Sequence, residues 1–134
     1  MTTPSNGTLT NRIPVTGRNT DERGILQPCL ILQEVSMIND RAIMEAFGHL
    51  NFSAINILRY HVYFHEAALN GDTLHIEASY RYSVTGLLIE IKVHKIRTRK
   101  KIMVLTGDFT FVDTQKNVVQ SGLTNQRKNT FIYN

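Results

Sequence analysis

The stretch Pro28-Cys29-Leu30-Ile31-Leu32-Gln33-Glu34-Val35-Ser36-Met37-Ile38-Asn39-Asp40-Arg41-Ala42-Ile43-Met44-Glu45-Ala46-Phe47-Gly48 decides the fold. Leu30, Ile31, Val35, Ile38, Ala42 and Ala46 recur at helical spacing. Pro28 fits the first turn, where a missing N–H costs nothing, and Gly48 is a stop signal. Leu32, Met37 and Met44 widen the apolar stripe beyond one face, so the pattern predicts a helix that something else must wrap. Glu34, Asp40 and Arg41 interrupt the apolar run, which predicts a buried amphipathic helix and not a membrane span.

Outward from the helix, the chain supplies the wrapper. Leu9 to Val15 reads as a first strand and Gly17 to Gly24 as a loop. Ile55 to Phe64, Thr73 to Val84, Leu87 to Ile96 and Ile102 to Asp113 are rich in β-branched and aromatic residues, with turn signals at Asn70-Gly71, Thr85-Gly86 and Arg99-Lys100. They are expected to form an antiparallel meander. Alternation puts Leu74, Ile76, Ala78, Tyr80 and Tyr82 inward, followed by Leu87, Ile89, Ile91 and Val93, then Leu105, Gly107, Phe109 and Phe111. A turn at Thr85-Gly86 would set Arg81 opposite Glu90 and Glu77 opposite His94. A three-residue connection at Arg99 to Lys101 would set Lys92 opposite Asp108. The polar tail from Gln115 to Asn134 carries little signal beyond a short strand at Thr130 to Tyr133.

The 134 residues, 42% hydrophobic and 19% charged, suit a single domain with a core at about residues 9–113. One cysteine, Cys29, leaves no intramolecular disulfide and no zinc-type spacing, so no metal is expected. Met1 to Thr10 is polar and unlike a secretory leader, and together with the cysteine usage this predicts a cytoplasmic protein. The net charge of +4 is concentrated in Lys92, Lys95, Arg97, Arg99, Lys100 and Lys101. That cluster reads as a solvated hairpin tip. No recognition helix or aromatic platform accompanies it, so neither nucleic acid nor membrane is an expected partner.

The loop ahead of the helix carries the chemistry. A helix start offers unpaired N–H groups and a partial positive charge, which can hold a carbonyl as negative charge develops on its oxygen. Asp21 is the carboxylate close enough in sequence to share that space, as nucleophile or as general base, although the residues alone read it sooner as a turn or capping residue. Gln27 can orient water or a carbonyl, or cap the helix. Cys29 reads as a small core residue sooner than a dipole-activated thiol. His61, Tyr63 and His65 share one strand face, where they line a cleft, a subunit contact or solvent.

Asp21 stands three residues before Gly24 in the loop leading to the helix. Phe64, then Gly71-Asp72 in a turn, and Thr106-Gly107-Asp108-Phe109-Thr110-Phe111-Val112 in the last long strand complete the pattern. With one strand, a central helix and a curled meander, Leu9 to Asp113 resembles the 4-hydroxybenzoyl-CoA thioesterase-like family of acyl-CoA thioesterases. The resemblance implies an α+β hotdog fold and hydrolysis of acyl-CoA or acyl-carrier-protein thioesters. It implies Asp21 as the catalytic carboxylate, with Gly24, Gln27 and the N–H groups of Cys29 or Leu30 as the oxyanion and substrate-binding set, because Pro28 has no N–H to give. It also implies a homodimer or dimer of dimers, no cofactor beyond coenzyme A as part of the substrate, and Lys95 and Arg97 as contacts for its phosphates. Two alternatives stay open on the same fold: a non-catalytic acyl-ligand-binding protein, and a dehydratase, which the lack of a histidine in the loop disfavours.

Overall fold

The computed structural model describes residues 6–48, 55–83 and 86–114. The described residues form strand β1 (Gly7–Pro14), helix α1 (Pro28–Phe47), and strands β2 (Ile55–Phe64), β3 (Thr73–Ser83), β4 (Gly86–Arg97) and β5 (Lys100–Asp113). The expected strand at Thr130 to Tyr133 lies outside them. The helix begins and ends where its residues direct. Pro28 opens it, and Gly48 closes it at φ 79° with its N–H donating to Met44 O.

The strands make an antiparallel sheet in the order β1-β3-β4-β5-β2. The expected meander therefore holds for β3, β4 and β5 only. β1 pairs with β3 along its whole length, from Gly7 opposite Tyr80 to Pro14 opposite Thr73, and leaves β2 no free edge there. β2 pairs instead with β5 at the far side, from Ile55 opposite Asp113 to Phe64 opposite Leu105.

Both expected hairpin registers need correction. Between β3 and β4, Ser83 pairs with Gly86, so residues 84 and 85 form the connection, and Glu77 faces Lys92 while His75 faces His94. Gly86 is a strand residue because its φ of 136° and the absence of a Cβ let it lie against the carbonyl of Phe111. Between β4 and β5 the turn is Thr98-Arg99, both at positive φ (45° and 66°), the backbone signature of a type I′ turn. This turn position brings Lys92 opposite Thr106 and not Asp108, even though a bulge between Val93 and His94, with buried Val104 as the extra residue, moves the pairing one step toward Asp108. Glu90 and Asp108, of like charge, then stand opposite each other. Arg81 approaches Glu90 to 3.9 Å and His61 approaches Asp108 to 3.2 Å, which offsets the repulsion.

The inward faces are as the alternation predicts. Leu74, Ile76, Ala78, Leu87, Ile89, Ile91, Val93 and Leu105 are buried against Ile31, Val35, Ile38, Ala42, Ile43 and Ala46 of α1. The helix packs on β3, β4 and β1, and its wrapping is incomplete. Leu32, Met37 and Met44 remain exposed, and beyond the helix an open cleft separates it from the β5–β2 half of the sheet.

Candidate functional site

Asp21 sits in a closed turn of its own making. Its N–H donates to Ile25 O (2.8 Å), and Gly24 N–H donates to Asp21 O (2.9 Å). Its Oδ1 accepts the N–H groups of Arg23 (2.9 Å) and Ile25 (3.0 Å), while Oδ2 meets Arg23 Nη2 at 3.2 Å. The Ile25 amide, opposed by some desolvation and aided by Arg23, holds the Asp21 carboxyl below its ordinary value. It is therefore an ionised carboxylate at neutral pH. Gly24 permits the turn with φ 78°, and its carbonyl accepts Asn70 N–H (2.8 Å), which joins this loop to residues 65–72.

At the start of the helix stand Gln27, Cys29 and Leu30. Gln27 is the N-cap residue but makes no side-chain cap, and the first helical turn carries no acidic residue, so the positive end of α1 is open. Leu30 N–H already donates to Gln27 O at 3.0 Å, which leaves Cys29 as the better amide for an incoming oxygen. The Cys29 side chain is exposed, contrary to the expected core position, with Sγ 3.7 Å from Gln27 Oε1. Packing at this end is done by Leu26 and Ile31 instead, both buried.

The other residues expected at a site lie elsewhere. His61 and Tyr63 are on the outer sheet face, away from α1, around a shallow depression of about 420 Å³ with Arg59, Glu90, Lys92 and Asp108. Lys95 is no hairpin-tip residue. It continues the inward alternation of Leu87, Ile89, Ile91 and Val93 along β4, and there it is 6% exposed and donates to Ala67 O (2.6 Å) and Glu66 Oε2 (2.9 Å). Arg97, half exposed, donates from Nε to Oδ1 of buried Asp72 (2.7 Å), whose Oδ2 accepts Leu69 N–H (2.8 Å). These two cations hold the 65–72 loop that supports the Asp21 turn.

The cleft beside α1 encloses about 450 Å³. Leu32, Val35, Ser36, Asn39 and Asp40 line its helix side, and Tyr60, Phe109 and Phe111 its sheet side. The rings lie nearly parallel, Tyr60 to Phe109 at 6.0 Å and 12°, and Phe109 to Phe111 at 6.4 Å and 13°. Of the four rings counted as inward, the two phenylalanines thus face the cleft. Tyr80 belongs to the core and donates to Glu45, and Tyr82 packs edge-on against Phe47.

No protein-family model matches the chain, and no curated protein matches it by sequence. Solved structures do match. An acyl-CoA hydrolase from Staphylococcus aureus, in complex with butyryl coenzyme A and coenzyme A, superposes with a TM-score of 0.67 at 15% identity, covering 79% of this chain and 65% of that one. The 4-hydroxybenzoyl-CoA thioesterase from a Pseudomonas species gives 0.63 at 14% identity, covering 79% and 84%. A hypothetical thioesterase from Streptococcus pneumoniae with coenzyme A gives 0.64 at 14%, covering 81% and 82%. This chain has the hotdog fold. It spans about two thirds of the staphylococcal hydrolase it resembles.

In this hotdog domain the cleft is what sequence reading passed over. Asp40 counted only as a break in an apolar run, yet Ser36, Asn39 and Asp40, at i, i+3 and i+4, put polar groups on one helix face. Burial pushes the Asp40 carboxyl above its ordinary value of 3.8. The folded hotdog domain thus keeps that proton after the unfolded chain has released it. Ionisation of Asp40 costs stability as pH rises through the folded value, and nothing below 3.8. Asp40→Asn should therefore raise the melting temperature at pH 7 by a small margin that vanishes on acidification below pH 4, a trend that melting curves across that range would show or refute. Among the described residues, no helix is long and apolar enough to cross a membrane.

Proposed function

We propose that this hotdog domain hydrolyses acyl thioesters, with coenzyme A or an acyl carrier protein as the leaving thiol. The observation that carries the reading is an ionised carboxylate, Asp21, in a hydrogen-bonded turn in the loop that leads to an uncapped helix start, on a fold that in other proteins is solved with coenzyme A bound. The thioester carbonyl oxygen docks at the Cys29 end of α1, where one well-placed amide contributes about 3 kcal/mol to the oxyanion, against about 0.5 kcal/mol for the dipole at an exposed terminus. Arg23, 78% exposed, can swing away and bare Oδ2 of Asp21. Attack by Oδ2 on the carbonyl carbon expels the thiolate and leaves an acyl-aspartyl anhydride, which water then opens. General-base activation by Asp21 of a water that attacks the same carbon is the other route open to this carboxylate.

The acyl group then lies in the cleft along α1. A second copy continues the sheet at β2, an edge strand with Leu58, Tyr63 and Phe64 exposed, giving a homodimer or dimer of dimers. Arg97 keeps a solvent-facing side for a coenzyme A phosphate, and Lys95 keeps the loop beneath it in place. The exposed single thiol of Cys29 suits a reducing cytoplasm.

One observation favours the alternative of a non-catalytic acyl-binding protein: every hydrogen bond seen on the Asp21 carboxylate serves its own turn. Free-thiol release from short, long and aromatic acyl-CoA esters, with calorimetric binding of the same ligands' non-hydrolysable analogues, separates the two. Turnover on any ester supports the thioesterase, and binding without turnover supports the acyl-binding protein.

A further inference from the structure

The loop that backs the Asp21 turn is built around a buried ion pair. The Asp72 side chain has no solvent-exposed surface. Its Oδ1 accepts Nε of Arg97 at 2.7 Å, and its Oδ2 accepts Leu69 N–H at 2.8 Å. The turn from Leu69 to Asp72 needs only an acceptor, which an asparagine would supply without taking a charge out of water. The ion pair therefore does something that closing the turn does not require, which is to fix the loop to the end of β4. Lys95, two residues earlier on the same strand, fixes the start of the loop through Ala67 O and Glu66.

From that loop the contacts run without a gap to Asp21. Leu69 pairs with Ile25 in an antiparallel bridge, closed by Leu26 N–H on Ala68 O (2.9 Å) and Asn70 N–H on Gly24 O (2.8 Å). Ile25 turns both of its backbone groups on Asp21, its N–H donating to Oδ1 (3.0 Å) and its carbonyl accepting Asp21 N–H (2.8 Å). We infer that Asp72 is a positioning residue for Asp21: held by Arg97, it fixes Leu69, and Leu69 fixes Ile25 against the Asp21 carboxylate. A displacement of about 1 Å at a reacting group, caused by a substitution far from the chemistry, is enough to cost about 10²-fold in rate. The consequence for activity rests on the proposed thioesterase reading. The consequence for the geometry of Asp21 does not.

Asp72→Asn tests the relay, because the side-chain amide can still accept Leu69 N–H while the ion pair is lost. The Ile25 amide does most to hold the Asp21 carboxyl below its ordinary value. Removing the Asp72 charge would by itself lower that carboxyl further, since a negative neighbour disfavours a second one, whereas loosening Ile25 raises it. Arg23, the charged side chain that meets Asp21, is left in place. A carboxyl-carbon NMR titration should therefore show the Asp21 midpoint rising by about 0.5 pH unit or more in Asp72→Asn. The Ile25 amide should exchange about 10-fold faster there, and also in Arg97→Gln, which breaks the same link from its exposed side. An unchanged or lower midpoint, Ile25 exchange within about twofold of the parent, or loss of the native fold in both variants overturns the inference. Thiol release runs in parallel. In Asp72→Asn, kcat should fall about 10-fold with KM within about twofold of the parent, and the fall should vanish in an Asp21→Asn background. A fall of equal size in that background removes the positioning role and keeps the thioesterase. A raised midpoint and faster exchange in a protein that turns over no ester keep the positioning role and remove the thioesterase.

Discussion

Asp21→Asn is expected to lower thiol release by about 10²- to 10⁴-fold while leaving the fold in place. The substitution is a clean one for a physical reason. Oδ1 of an asparagine can still accept the Arg23 and Ile25 N–H groups that close the turn, and Gly24 still donates to the backbone carbonyl at position 21. What disappears is the negative charge and the nucleophilic Oδ2. Steady-state rates on the best ester, beside a melting curve for each protein, make the measurement. A variant that melts like the parent and turns over within about twofold of it would take Asp21 out of the chemistry and leave it a turn residue. The acid limb of the wild-type profile offers a second reading. Because the Asp21 carboxyl is held below 3.8, activity that depends on its ionised form should persist into the acid range until the protein itself unfolds.

Gly86→Ala should be the most damaging single-methyl change in the sheet. Its φ of 136° lies where side chains other than glycine's are strained, and an added Cβ would sit 2.3 Å from the carbonyl oxygen of Phe111 on β5. Backbone on the paired strand has no rotamer to escape into. Strain and displacement together cost on the order of 3 kcal/mol, a large share of the about 5–15 kcal/mol by which such domains are stable. A fall in melting temperature of about 10 °C is expected. Gly17→Ala is the control, since nothing lies within 4 Å of the added methyl. Equal melting temperatures for the two variants would mean that the β4–β5 pairing at Gly86 is not as described.

Most of the fold was legible because its signals are local. The helix from Pro28 to Gly48, the strand segments and the alternation of Leu74, Ile76 and Ala78 against Glu77 and Arg81 all follow from spacing along a few residues. The site was legible in part. The turn chemistry of Asp21 and Gly24 is written in adjacent residues, and both readings of Asp21, as cap and as reactive carboxylate, start from that same geometry. Lys95 was misplaced because its charge was read as part of a hairpin tip although it falls on the inward alternation of Ile89, Ile91 and Val93; the partners that take its ammonium, Ala67 O and Glu66, come from a loop distant in sequence.

The amino-acid sequence by itself thus determined the elements, their inner faces and the carboxylate before the helix, since these depend on residues close along the chain. Only the tertiary structure decided that β2 pairs with β5 at the far edge, that α1 leaves the β5–β2 half of the sheet uncovered, and that Asn39 therefore meets Tyr60, Phe109 and Phe111 across an open cleft. Those are contacts between segments tens of residues apart. They are set by which strand edge remains free once β1 has taken β3, and no local pattern encodes that choice.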